Sequence, residues 1–124
     1  MDDRAIILVV ERHDSIGELL IEVLHDEGYS VTRVVNGAQT IAALERALPA
    51  LLLLDVHSVD LRSAPVLAAL QALARTDVAI LLMGTNGHDR VRIPIATGLT
   101  FLEKPFHLTT LLDRVASAVP CYHH

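Results

Sequence analysis

Aromatic residues are scarce in this sequence: there is no tryptophan, and two phenylalanines and two tyrosines are the whole complement. A core built from it must be aliphatic, and the hydrophobic fraction of 52% is ample for that. Cysteine occurs once, as Cys121, so no internal disulfide can staple the chain, in keeping with a reducing compartment. No apolar run approaches the roughly 18 residues of a membrane span, and the opening Met1-Asp2-Asp3-Arg4 lacks the basic start of a secretory signal. The expectation is a cytoplasmic protein without membrane association. Basic charge is also short, with 10 Lys and Arg against 15 Asp and Glu and a formal net charge of -5. That leaves no cationic footprint for direct nucleic-acid binding. No glycine-rich loop follows the first apolar run, so dinucleotide and P-loop nucleotide binding have no support, and no cofactor groove is expected.

What is present fits one domain, since 124 residues can bury a single sizeable core. There is no internal repeat, linker or low-complexity tract. Residues 1–120 read as the domain, and 121–124, ending in His123 and His124, read as a tail left by a tag or a truncation. The other histidines, His13, His25, His57 and His88 among them, are scattered without metal-ligand spacing.

Four leucines, Leu51 to Leu54, run directly into Asp55. A continuous apolar run of this length reads as a strand buried on both faces. Similar runs recur at Ala5 to Val10, ending in Glu11-Arg12, and at Val78 to Met83, closed by Gly84-Thr85. Tyr29 to Val35 alternates more, as a strand near a sheet edge does, and Leu99 to Leu102 is a brief fifth strand before Glu103-Lys104-Pro105-Phe106.

Helical spacing links the runs. Ser15 and Glu18 fit a capping box opening a helix that Gly28 stops, and Asp14 is a candidate helix cap. A second helix follows Asn36-Gly37 with Ile41, Leu44 and Leu48 on its apolar stripe, and Pro49 bars its continuation. Ser63-Ala64-Pro65 opens a third, while Pro94 interrupts a short or distorted fourth segment over 88–97. The last helix carries Leu108, Leu111, Leu112, Val115 and Val119, with Thr109 or Thr110 as its expected cap. Five strands alternating with helices through short connections predict an α/β fold, a five-stranded parallel sheet between two helical layers.

In such a sheet the carboxyl strand ends share one edge, where sites form. Glu11, Asp55, Thr85 and Lys104 should converge there. Paired carboxylates can hold a hard cation such as Mg²⁺, and a lysine can bind phosphoryl oxygens as a point charge. This order of motifs resembles the receiver domain of bacterial response regulators over essentially the whole chain: an apolar run ending in Glu11, the strand-end Asp55, and Lys104-Pro105-Phe106 after a strand. The resemblance implies a three-layer, flavodoxin-like doubly wound fold and a role in two-component phosphorelay signalling, not a free-standing enzyme. It also implies phosphoryl acceptance by Asp55, reading of the phosphate by Thr85 and Lys104, and Mg²⁺ held by Glu11, Asp55 and the His57 backbone carbonyl. The implied partners are a histidine kinase or phosphotransfer protein and an output partner on the face of the fourth and fifth helices and the fifth strand. The sequence leaves homodimerisation open.

Departures from the family pattern define the remaining question. Arg12 stands where a second acidic ligand is usual. If it faces the cation, an acid-to-base change at roughly 4 to 6 Å and an effective dielectric near 20 is worth several kcal/mol, so Mg²⁺ binding is expected to be weak or absent. The family's hydroxyl residue and its small neighbour fall on Met83-Gly84 or Gly84-Thr85, depending on register. With Met83-Gly84 the hydroxyl is missing, and Thr85, one residue late, substitutes only if the turn is shifted. Ser58-Val59 replaces the usual Met-Pro, and Phe101 lacks a hydroxyl. The alternative is a pseudo-receiver, a phosphorylation-independent interaction module in which Arg12 pairs with Asp55 and, with Lys104, supplies the positive charge.

Overall fold

The computed structural model describes residues 4–85 and 100–119. Within them the strands are β1 (Ile6–Val10), β2 (Ser30–Val34), β3 (Leu51–Asp55), β4 (Ala79–Gly84) and β5 (Thr100–Glu103). The helices are α1 (Asp14–Asp26), α2 (Gly37–Arg46), α3 (Ala64–Leu73) and α4 (Leu108–Ala118). All pairings are parallel, in the order β2-β1-β3-β4-β5, so the run of leucines is the middle strand and the alternating strand lies at an edge. The expected fourth segment, Cys121 and the tail lie outside the described residues.

Every residue of β3 is buried, but successive side chains serve opposite faces, as the pleat requires. Leu51 and Leu53 join Ile7, Val9, Leu20, Leu24, Leu81, Met83, Leu111 and Val115 under α1 and α4. Leu52 and Leu54 join Leu8, Val10, Leu70, Leu73, Ile80 and Leu82 under α2 and α3. Each leucine buried this way contributes roughly 1.5–3 kcal/mol relative to exposure, so β3 is pinned between two aliphatic cores.

Local signals explain most helix ends. Gly28, at φ 96°, takes the left-handed position after α1, while its N–H bonds the His25 carbonyl at 2.9 Å and Tyr29 N–H bonds that of Leu24 at 3.2 Å. The Asn36 carboxamide accepts from Gln39 N–H at 2.8 Å, and Gln39 Oε1 accepts from Val35 N–H at 2.9 Å, a reciprocal cap for α2. Ser63 precedes α3 with Pro65 in the first turn, as expected.

Three local expectations are corrected. The box at Ser15 does not form: α1 begins at Asp14 after His13, with no side-chain cap. Neither Thr109 nor Thr110 caps α4, which starts at Leu108 after His107. Leu48 is not on the stripe of α2, because the helix ends at Arg46, before Pro49, and leaves Leu48 exposed.

Candidate functional site

The parallel ladder brings the carboxyl ends of the strands to one edge and extends slightly past each of them. Glu11 N–H bonds the Val34 carbonyl at 3.1 Å, Val56 N–H that of Met83 at 2.9 Å, and Lys104 N–H that of Gly84 at 2.6 Å. Glu11, Asp55 and Lys104 are thus set by backbone pairing before any side-chain contact acts. Asp55 closes β3 opposite Met83, Glu11 follows β1, and Lys104 follows β5.

Their side chains meet. Glu11 is fully buried and Asp55 is 2% exposed. Lys104 Nζ lies 2.8 Å from Glu11 Oε1 and 3.4 Å from Asp55 Oδ1, so one ammonium holds two carboxylates side by side. An unpaired buried carboxylate would be expensive, and this shared cation, aided by hydrogen bonds, offsets the desolvation of both. Glu11 Oε2 also accepts from His13 N–H at 3.3 Å, and Asp55 Oδ2 from the Ser58 hydroxyl at 2.7 Å. With two carboxylates and one ammonium, the cluster carries a formal charge of -1 and suits a further cation.

The remaining candidates lie around this centre. Thr85 directly follows β4, exposed, with its hydroxyl 3.4 Å from His57 Nε2, and His57 is exposed two residues after Asp55. Arg12 departs from the pairing with Asp55 considered above: its side chain is exposed, and the cation beside Asp55 is Lys104. An exposed guanidinium is screened by solvent and salt, which reduces the field effect expected of a charge in the site. What the turn lacks is a second acidic ligand.

Among the described residues no group of three or more His, Cys, Asp and Glu is placed to hold a metal. The paired carboxylates of Glu11 and Asp55 nonetheless suit the donor chemistry of Mg²⁺, which is commonly bound through one or two carboxylates plus waters and phosphate oxygens.

Two residues escaped the sequence reading. Ser58, counted there only as a lost methionine, is buried and takes the Arg12 backbone N–H at 2.8 Å while donating to Asp55. Arg33, on β2, is 14% exposed at its side chain and donates through Nε and Nη2 to the Glu11 carbonyl at 3.0 and 2.7 Å. Its Nη2 also meets Asp14 Oδ1 at 3.0 Å, so Asp14 does not cap α1 but pairs with Arg33. A charged residue among the valines of β2, and a glycine inside α1, were the available signals.

Comparison with known proteins places this geometry. The model of the response regulator receiver domain matches residues 7–116. The transcriptional regulatory protein YkoG of Bacillus subtilis (strain 168) is 34% identical over 119 residues, covering 91% of this chain and 50% of that protein. The DNA-binding response regulator MtrA of Mycolicibacterium smegmatis is 30% identical over 110 residues, 88% of this chain and 48% of its own. The chain therefore spans about half the length of the curated relatives it matches. Among solved structures, the chemotaxis protein CheY4 of Vibrio cholerae superposes with a TM-score of 0.72 at 21% identity, covering 94% of this chain and 99% of that one. The receiver domain of NtrX from Brucella abortus does so at 0.72 and 23%, covering 90% and 96%. With the sheet order β2-β1-β3-β4-β5 and the matched family model, this chain belongs to the response regulator receiver domain family of two-component signalling.

Proposed function

We propose that Asp55 is a phospho-acceptor, taking a phosphoryl group from a histidine kinase or phosphotransfer protein. The observation that carries this is the Lys104 ammonium shared between Asp55 and Glu11 at the carboxyl edge of the middle strand. In the transfer an Asp55 carboxylate oxygen forms a bond to phosphorus while the bond from phosphorus to the donor breaks, and the donor atom keeps that electron pair. Lys104, already 3.4 Å from Oδ1, would meet the equatorial phosphoryl oxygens, and Thr85 would add a hydroxyl. Glu11, Asp55 and the His57 carbonyl would hold Mg²⁺, which when bound neutralises phosphoryl charge. With Arg12 in place of an acid, one protein ligand is missing, so weak metal affinity is expected from the ligand count.

This role is that of an acceptor module rather than an enzyme turning over a free substrate. The output partner would dock on the side of β5 and α4; the neighbouring segment expected at 88–97 lies outside the described residues. No described helix is long and apolar enough to cross a membrane; a cytoplasmic location is the setting that the relatives' family suggests.

A second reading has one observation in its favour. Lys104 already supplies both buried carboxylates with a cation, so the domain could hold one interaction-competent state without phosphate. Intact mass after incubation with acetyl phosphate and a divalent cation separates the two. Asp55 as acceptor predicts the gain of one HPO₃ in the wild type and none in Asp55→Asn. A wild type that never gains it, while partner capture survives Asp55→Asn, establishes the second reading instead.

A further inference from the structure

We propose that Ser58 is the positioning residue that selects which oxygen of Asp55 receives the phosphoryl group, reserving Oδ1 by occupying Oδ2. This rests on the reading of Asp55 as phospho-acceptor and adds a residue to it.

The direction of the hydrogen bonds follows from the partners. Arg12 N–H can only donate, and it approaches Ser58 Oγ at 2.8 Å. An ionised carboxylate can only accept, and Asp55 Oδ2 lies 2.7 Å from the same Oγ. The single hydroxyl proton of Ser58 therefore points at Oδ2. A short hydroxyl-to-carboxylate bond of this kind is among the stronger ones and draws electron density from the oxygen it holds.

Asp55 Oδ1 stands differently. Its Lys104 contact is 3.4 Å, whereas the same ammonium is 2.8 Å from Glu11. Ordinary charged hydrogen bonds to oxygen are about 2.7–2.9 Å, so Oδ1 is the weakly engaged oxygen of the pair. An attacking oxygen must keep a lone pair uncommitted while its carboxylate is held in place. Oδ1 meets the first condition, and Ser58 supplies the second.

The anchor is rigid because Ser58 is tied twice more. Its N–H bonds the Asp55 carbonyl at 3.0 Å, closing the turn after β3, and its hydroxyl links that turn to the one after β1 through Arg12. The Arg12 backbone thus contributes to Asp55 geometry although its side chain is exposed.

When Oδ1 attacks, the Oδ1–P bond forms, the P–O bond of acetyl phosphate breaks, and acetate leaves with the electron pair. No proton moves, and Ser58 keeps its bond to Oδ2 throughout.

The test uses the full chain with acetyl phosphate and Mg²⁺, comparing wild type with Ser58→Ala and Ser58→Thr. Loss of the hydroxyl should lower the maximal phosphorylation rate about tenfold with the half-saturating donor concentration unchanged, and threonine should restore most of it. In metal-free buffer, ¹³Cγ-aspartate labelling should give an H/D isotope shift on the Asp55 carboxyl carbon, assigned with Asp55→Asn. It should shrink in Ser58→Ala to the smaller contribution of the Lys104 ammonium on Oδ1 and persist in full in Ser58→Thr. A wild-type rate in Ser58→Ala, a slowing confined to donor saturation, or a threonine variant as slow as alanine overturns the proposal. Absence of any adduct in the wild type instead defeats the acceptor reading on which it rests.

Discussion

Replacing Gly17 by alanine should destabilise this protein, against the usual direction for a glycine inside a helix. Alanine ordinarily gains about 0.5–1 kcal/mol there. In α1, however, a Cβ at position 17 would lie 2.5 Å from Arg33 Cζ, 2.8 Å from Cδ, and closer still to Nε. The guanidinium must move, and moving it breaks two charged-donor bonds to the Glu11 carbonyl together with the Asp14 pair. Asp14 is largely exposed, so its share is small. The carbonyl bonds are the larger loss, on the order of 1.5–3 kcal/mol, because the guanidinium is mostly buried. The net expectation for Gly17→Ala is about 1–2 kcal/mol of destabilisation, read by urea denaturation. In an Arg33→Ala background the obstacle is gone, and the same substitution should become stabilising by about 0.5–1 kcal/mol. If Gly17→Ala stabilises the protein with Arg33 intact, the reasoning that the glycine exists to admit the arginine is refuted.

Removing the shared ammonium with Lys104→Met should cost about 3 kcal/mol in the same assay, because Glu11 and Asp55 stay buried without their cation. A loss below about 1 kcal/mol would mean that the carboxylates find other partners. Burial, with the Glu27 carboxylate adding to it, pushes the Tyr29 phenol above its ordinary value of 10.0. Its folded form thus favours the proton, so this contribution to stability is intact below pH 10 and fades as pH climbs through the raised value. Tyr29→Phe should therefore flatten the alkaline limb of a denaturation series, and an unchanged limb would argue against it.

Much of this was legible in the residues, for identifiable reasons. Uninterrupted aliphatic runs such as Leu51 to Leu54 have few alternatives to a buried strand, and their spacing by amphipathic segments fixes a parallel order. The strand-end positions of Glu11, Asp55 and Lys104 followed from the runs alone. Caps were less legible, because Ser15, Thr109 and Thr110 carry capping hydroxyls that the chain leaves unused in favour of a start one or two residues earlier. The orientation of Arg12 depends on a turn, which periodicity does not encode. Ser58 was missed because its bond to Asp55 depends on the turn after β3, and Arg33 because its partner Glu11 follows the neighbouring strand, 22 residues away in sequence.

The two aliphatic cores have a consequence for how a local event would spread. No side chain of β3 packs in both, since Leu51 and Leu53 serve one and Leu52 and Leu54 the other. The sheet is a partition, and the helical layers on its two sides have little direct acquaintance with each other. Asp55 terminates the central described strand, which lies between the largely buried β1 and β4 and packs its leucines alternately into the two layers. A displacement of that single residue is therefore delivered to both halves of the molecule at once, as a tug on a shared spine.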